Sequence, residues 1–129
     1  MNKREIREFL SDNGLNDVEE INYKEEIFML RFFYDFDKAE ISAAKSYATD
    51  ESDDVENGEV WKEQFFIPYL NDLAEDNVGE IIEEATEEFD LLAQYISYDI
   101  DEEEEQNEFI VAFSEEEFDI EDILAELKL

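Results

Sequence analysis

One stretch of the chain constrains its folding more than any other. From Glu63 to Leu127 there are 24 Asp and Glu residues and no Lys, Arg or His. The whole chain has 41 acidic residues against 9 basic ones, and its formal net charge is -32. Carboxylates on a compact body repel one another, which destabilises the fold but keeps it soluble and monomeric. The acidity therefore indicates either adaptation to very high salt or a surface that recognises a basic partner.

The composition predicts a folded domain rather than an acidic tail. Hydrophobic residues make up 43% of the 129 residues and aromatic residues 14%, whereas disordered acidic segments contain few aromatics. The length fits a single domain spanning residues 1–129. Because the chain has no cysteine, disulfides, thiolate metal sites and thiol nucleophiles are excluded.

The sequence also predicts where the protein resides. No apolar run follows Lys3 and Arg4, so we expect no signal peptide, and no stretch approaches the ~18 apolar residues of a membrane span. We therefore expect a cytoplasmic protein without membrane contact. Its charge would also repel nucleic acid, so no direct nucleic-acid binding is expected.

Hydrophobic periodicity predicts an α+β fold. Two β-hairpins would form an antiparallel sheet of about four strands, with helices packed mainly on one face, in the order α-β-β-α-α-(α)-β-β-α. We predict strands at 18–23, 27–36, 93–100 and 108–114. We predict helices at 3–10, 38–48, 59–73, 78–92 and 119–127, with acidic loops at 49–58 and 99–108.

Three local signals mark helix ends. Asn13-Gly14 is a helix stop, since Gly fits the left-handed conformation that ends many helices. Asp37 is placed to cap the second helix, with Glu40 three residues later as in a capping box. Pro68 must begin or kink a helix, because it lacks the backbone N–H.

A weak internal repeat of strand, strand and helix relates residues 18–48 to residues 94–128. The segment from Glu26 to Asp37 overlays the segment from Glu108 to Asp119 without a gap. That overlay places Phe32 on Ser114, so the face patterns of the two units disagree. The alternative is that a hairpin followed by a helix is simply a common local order.

No pattern in the chain predicts catalysis. Carboxylate pairs arise by chance in so acidic a sequence, and without His or Cys the acid, base and nucleophile roles would fall on carboxylates, Tyr and Ser. Neither a nucleophile elbow nor a Gly-rich phosphate loop is present. We expect a non-enzymatic protein without a cofactor.

The acidic runs do not fit a calcium loop either. An EF-hand loop begun at Asp99 places Glu104 where the sharp turn requires Gly, and Ile110 where the bidentate Glu belongs. We therefore predict no metal site. A protein that binds divalent cations loosely through residues 99–105 remains an alternative.

The acidic clusters are the best candidate site. Protein surfaces normally mix both signs of charge, and like-charge pairs four residues apart on a helix cost about 0.2–0.5 kcal/mol each. We predict a partner-binding surface on the 78–92 helix, the 99–108 loop and the segment after the last strand. It comprises Glu80, Glu83, Glu84, Glu87, Glu88, Asp99, Asp101, Glu102, Glu103, Glu104, Glu105, Glu115, Glu116 and Glu117.

This surface predicts a protein that inhibits or sequesters a basic partner. Rows of carboxylates can imitate DNA, which carries about one charge per 1.7 Å of axis. The chain would then be a DNA mimic, or an immunity or antitoxin-type inhibitor of a nuclease or other nucleic-acid-binding protein. The alternative is an acidic domain without a specific partner, such as a halophilic or housekeeping protein, although halophilic adaptation should deplete the six lysines.

The oligomeric state stays open between monomer and dimer. Four aromatic residues crowd one segment and could form a dimer face, but such residues more often lie in the core. They are Trp61, Phe65, Phe66 and Tyr69.

Overall fold

Four strands form one antiparallel sheet in the computed structural model, which describes all 129 residues. The strands are β1 (Asn16–Ile21), β2 (Ile27–Asp35), β3 (Leu92–Asp101) and β4 (Gln106–Ser114). Their order across the sheet is β1-β2-β4-β3. Two hairpins therefore meet through the central β2–β4 pair, in which Arg31 is opposite Ile110. The predicted α+β fold with a four-stranded sheet is confirmed.

The helices are α1 (Lys3–Asp12), α2 (Lys38–Glu51), α3 (Ile67–Phe89) and α4 (Ile120–Leu127), and a π-helical turn (Trp61–Phe66) leads directly into α3. The two helices predicted at 59–73 and 78–92 are thus one continuous element. Ile67 donates its N–H to the carbonyl of Lys62, five residues back, so the wider turn ends just before Pro68, which lies in the first turn of α3 and has no backbone N–H. None of these helices combines the length and the apolar character needed to cross a membrane.

Three of the four helices cover one face of the sheet. Residues of α1, α2, the π-helical turn and α3 join β2 and β4 in a core of 22 buried residues, which includes Phe28, Phe32 and Phe109. On the opposite face, α4 covers a smaller cluster of six, with Ile123 packed in the same cluster as Ile110. Helices packed mainly on one face are therefore confirmed.

The structure confirms two of the predicted helix ends. Asn13 follows the last residue of α1, and Gly14 adopts φ +92°. Asp37 accepts a hydrogen bond from the Glu40 N–H at 2.8 Å, and the Glu40 carboxylate accepts one from the Asp37 N–H at 2.9 Å. The capping box at the start of α2 is confirmed.

Other boundaries differ from the sequence prediction. α3 ends at Phe89 because Asp90 turns left-handed, with φ 53°, so Leu92 begins β3 instead of completing the helix. The predicted loop at 99–108 is wrong, since β3 continues to Asp101 and β4 begins at Gln106. Because Asp99 and Asp101 are acidic, hydrophobic periodicity does not identify this end of β3 as strand.

Both edge strands contain an irregularity. The pairing register of β1 against β2 shifts between Asn16 and Glu19. The register of β3 against β4 shifts between Ser97 and Ile100. These bulges bend the two open edges of the sheet.

The helices of the two predicted repeat units lie on opposite sides of the sheet. Ile41, Ala44 and Ala48 of α2 belong to the large core, whereas α4 belongs to the small one. A two-fold rotation that exchanged β2 with β4 within one antiparallel sheet would keep both helices on the same face. The internal repeat stays a prediction.

Candidate functional site

The outer face of α3 presents five of the predicted partner-binding acids. Glu80, Glu83, Glu84, Glu87 and Glu88 are all exposed. They are displayed because the opposite face of the helix is buried in the core, through Leu70, Ala74, Val78, Ile82 and Ala85. No basic residue lies in the last turn.

The position of these acids on α3 is electrostatically unfavourable. The carboxyl end of a helix carries partial negative charge, so an acid there costs about 0.3–1 kcal/mol. Glu87 and Glu88 lie in the last turn before Phe89, and Thr86 binds the carbonyl of Glu83 rather than any of these carboxylates. The charges on this face therefore lower the stability of α3.

The turn between β3 and β4 presents the second group of acids, which lies entirely on the surface. The Oδ1 of Asp101 accepts hydrogen bonds from the N–H groups of Glu103 and Glu104, at 3.0 and 3.2 Å. Glu105 closes the turn with φ 54°, and its carbonyl accepts the N–H of Phe36 at 2.9 Å. The turn is thus held by the Asp101 carboxylate and by the backbone of Glu105, while all five of its acidic residues from Asp101 to Glu105 are exposed.

A buried polar cluster fixes this hairpin against α3. Asn107 is fully buried, and its Nδ2 donates to the carbonyl of Tyr98 within the β3 bulge at 3.1 Å. Asn71 of α3 donates to the Oδ1 of Asn107 at 3.0 Å. The hydroxyl of Ser97 donates to the Oε1 of Glu75 at 2.9 Å. These bonds set the position of the acidic turn relative to the helix.

A third group follows β4. Glu115, Glu116 and Glu117 are exposed, and the N–H of Glu116 is bound by the hydroxyl of Ser114 at 3.2 Å. Ser114 pairs with Leu92, so this group lies at the end of the sheet where α3 finishes.

The structure therefore separates the predicted surface into two ends. One end, the turn end, carries the acids from Asp99 to Glu105. The other, the helix end, carries Glu115–Glu117 and the last acids of α3. Along β4, from Gln106 to Ser114, the two ends are about 27 Å apart at ~3.4 Å per residue. Every one of the fourteen residues is exposed, and Glu80, Glu83 and Glu84 lie on α3 before its last turn.

Very little of this charge is neutralised internally. The protein has three ion pairs: Arg4–Glu8 at 3.0 Å, Lys62–Glu102 at 3.2 Å and Arg31–Glu108. In the last, Nε lies 3.2 Å from Oε2 without the alignment of a hydrogen bond. Among the fourteen predicted residues, Glu102 is therefore the single one with a basic partner.

A hydrogen-bonded tyrosine links the acidic helix to the rest of the fold. The Tyr34 hydroxyl donates to Glu40 at 2.6 Å and accepts from Asn77 of α3 at 2.7 Å. Burial, followed by the hydrogen bond to the Glu40 carboxylate, raises the pKa of Tyr34 to about 12. Strand β2, α2 and α3 are thereby joined at one point.

Sequence reasoning missed a second feature, an aromatic cleft between α2 and the junction of the π-helical turn with α3. The ring of Tyr47 lies 5.2 Å from that of Tyr69 and 6.2 Å from that of Phe65, between centroids. Asp72 and Asp76 line the same cavity of about 370 Å³, and no Lys or Arg lines it. We call these five residues the aromatic cleft.

Part of the cleft could have been found from the sequence. Phe65, Tyr69, Asp72 and Asp76 recur at helical spacing, but a helix predicted to end at Leu73 divides that stripe. The contribution of α2 has no local signal. The other aromatics of the segment lie in the core, since Trp61 and Phe66 are buried and stack at 4.9 Å.

The side chains do not assemble a recognisable metal centre, because no group of three or more Asp, Glu, His or Cys residues is placed to hold an ion. The distinctive features of the surface are therefore its two acidic ends and the aromatic cleft. No protein-family model, no curated protein and no solved structure matches this chain.

Proposed function

We propose that this protein binds a basic partner through its acidic surface and inhibits or sequesters it. The partner would be a nuclease or another nucleic-acid-binding protein. The observation that carries the proposal is the display of fourteen exposed acids, of which thirteen lack any basic partner. Within the chain, Asp101 accepts two backbone N–H groups and Glu102 pairs with Lys62, while the other twelve carboxylates take part in no hydrogen bond or ion pair. Several of them disfavour the helix on which they lie.

The dimensions of the surface support a nucleic-acid-binding partner. Proteins that bind DNA place Lys and Arg along a groove to contact phosphates. The two acidic ends are about 27 Å apart, which is the length of about eight base pairs at 3.4 Å each. A folded α+β domain with acids at both ends would occupy such a groove in place of the duplex.

Competition with nucleic acid tests the proposal. The immobilised protein should retain basic proteins from a lysate of the producing cell at ~50 mM salt, and duplex DNA or RNA should release them. At ~500 mM salt the Debye length falls to about 4 Å, so retention should be lost. The proposal is contradicted if the immobilised protein retains no basic protein at low salt. It is also contradicted if nucleic acid does not displace the proteins that are retained.

Two controls distinguish binding that depends on the folded surface from binding that depends on total charge alone. Polyglutamate of equal total charge lacks the fold and should displace the partner less well than the folded protein does. The variant Glu83→Gln/Glu84→Gln/Glu87→Gln/Glu88→Gln should bind less tightly than a control with four neutral substitutions elsewhere. Suitable control positions are the exposed Glu19, Glu20, Glu25 and Glu26. A chain that folds only in molar salt would instead indicate halophilic adaptation.

A further inference from the structure

The aromatic cleft has the chemistry of a site for a cation. Three aromatic rings line it, and the face of an aromatic ring is negative in its quadrupole and attracts cations. The two carboxylates of Asp72 and Asp76 also line it, and both residues are exposed. Aromatic faces combined with carboxylates form an environment that favours a positive charge.

The aromatic side chains of the cleft are only partly buried. Tyr47 is 41% exposed, although an aromatic side chain of this size is more often buried or at an interface. Phe65 and Tyr69 are half-buried. In contrast, Trp61, in the same π-helical turn as Phe65, is completely buried and donates its Nε1–H to Thr49 at 3.1 Å. The turn thus divides its aromatic residues between the core and the cleft.

The backbone beneath the cleft is unusual. Phe65 lies within the π-helical turn, and such turns are often found at functional sites. Tyr69, Asp72 and Asp76 follow at successive turns of α3, so the cleft is a row along one side of that helix, closed on the other side by Tyr47 of α2.

We propose that the aromatic cleft receives an arginine side chain of the basic partner. The inference rests on the proposed function for the source of that arginine, but the binding chemistry is independent of it. A guanidinium is planar, stacks on aromatic faces and pairs with carboxylates through several N–H groups. Asp72 and Asp76, one helical turn apart, can each accept from it while the rings of Tyr47 and Tyr69 cover its face.

Arginine fits this cleft better than lysine does. A lysine ammonium is a compact, strongly hydrated charge, whereas a guanidinium is weakly hydrated and enters partly apolar sites more readily. Arginine is also enriched among the residues that dominate binding energy at interfaces, where it pairs with aromatic residues. The cleft would anchor one arginine, while the acidic ends contribute longer-range attraction.

Binding of a defined peptide tests the cleft without the partner. The probe is acetyl-Gly-Arg-Gly-amide, titrated in ~150 mM salt while the aromatic ring resonances of the full chain are followed by NMR. The Arg peptide should shift the resonances of Tyr47, Phe65 and Tyr69 in a saturable manner. The same peptide with citrulline, which is neutral and similar in shape, should not. Absence of saturable shifts with the Arg peptide overturns the proposal, and an equal affinity for a Lys peptide overturns its assignment to arginine.

Substitutions at two exposed parts of the cleft test where the Arg peptide binds. Tyr47→Ala and Asp72→Asn/Asp76→Asn should each weaken the Arg peptide about tenfold or more. The matched control, Glu83→Gln/Glu87→Gln, removes two acids at the same spacing on the same helix and should change its affinity less than about twofold. Equal losses in the control and in the Asp72/Asp76 variant would show general charge attraction and overturn the site.

The peptide and the partner assays fail independently. If the peptide binds at the cleft but no basic protein is retained, the proposed function is contradicted and the arginine site in the cleft is supported. Retention of a partner that Tyr47→Ala does not weaken would sink the role of the cleft in that complex and leave the proposed function intact.

Discussion

Neutralising four acids on α3 should make the protein more stable. The variant Glu83→Gln/Glu84→Gln/Glu87→Gln/Glu88→Gln removes the like-charge pairs Glu80/Glu84, Glu83/Glu87 and Glu84/Glu88, each worth about 0.2–0.5 kcal/mol. It also removes two charges from the last turn, where the helix dipole disfavours acids by about 0.3–1 kcal/mol each. All four side chains are exposed and accept no hydrogen bond from another side chain. These contributions add up to about 1–3.5 kcal/mol, and because solvent screens exposed charges we expect a gain at the lower end, about 1–2 kcal/mol at low ionic strength.

Urea titration is the appropriate assay, because guanidinium chloride would itself screen the charges. With a urea slope of about 2 kcal/mol per molar, the midpoint should rise by about 0.5–1 M. The thermal midpoint should rise by about 3–8 °C for a chain of this length. In ~1 M sodium chloride, where the Debye length is about 3 Å, most of the difference should disappear.

The control distinguishes a local effect from a general one. Substituting Gln at Glu19, Glu20, Glu25 and Glu26 changes the net charge equally but touches neither a helix end nor a helical charge pair. Its gain should be clearly smaller. A loss of stability in the α3 variant would refute the reasoning, since it would mean that these carboxylates have stabilising contacts within the fold.

Two further predictions concern the contacts that position α3. An Ala side chain at Gly79 would place its Cβ 2.8 Å from the Tyr95 hydroxyl, so Gly79→Ala should gain little stability. In a Tyr95→Phe background the same substitution should gain the full helix preference of about 1 kcal/mol. Equal effects in both backgrounds, measured by urea titration, would show that the hydroxyl does not oppose the methyl group. Because the pKa of Tyr34 is raised from 10.0 to about 12, its contribution is fully present below pH 10 and is lost as pH rises towards 12. Tyr34→Phe should therefore flatten the fall of stability in that window, and an unchanged slope would argue against a raised pKa for Tyr34.

The sequence was most informative where the chemistry is local. Asp37 and Glu40 predict their own capping box, and Asn13-Gly14 predicts the end of α1, because capping depends on a few consecutive residues. The fold class followed from periodicity, since β2 alternates core residues such as Phe28, Leu30 and Phe32 with residues of the other face.

The sequence was least informative where tertiary packing overrides composition. Residues 99–108 look like an acidic loop, yet β3 extends to Asp101 because pairing with β4 and the buried Asn107 stabilise it. The buried stripe of α3 continues through Leu70, Ala74 and Val78. Its continuity was missed because Glu75, Asp76 and Asn77 form a polar run that resembles a loop. The exposure of the fourteen acids was predictable from their charge. Their division between two ends was not, because that depends on the direction of each strand.

The bulged edge strands limit how any partner can attach. The outer edges of β1 and β3 hold the unpaired N–H and C=O groups of the sheet, and a straight edge of this kind invites another strand to add to it. Here the register of each edge strand shifts once, and exposed Asp17, Glu19 and Asp99 lie along them. A strand added from a second copy of the chain would meet both a bend and charge repulsion, whereas a strand from a basic partner would meet the bend alone. The edges of this sheet therefore disfavour pairing between copies of the chain more strongly than they disfavour a basic partner.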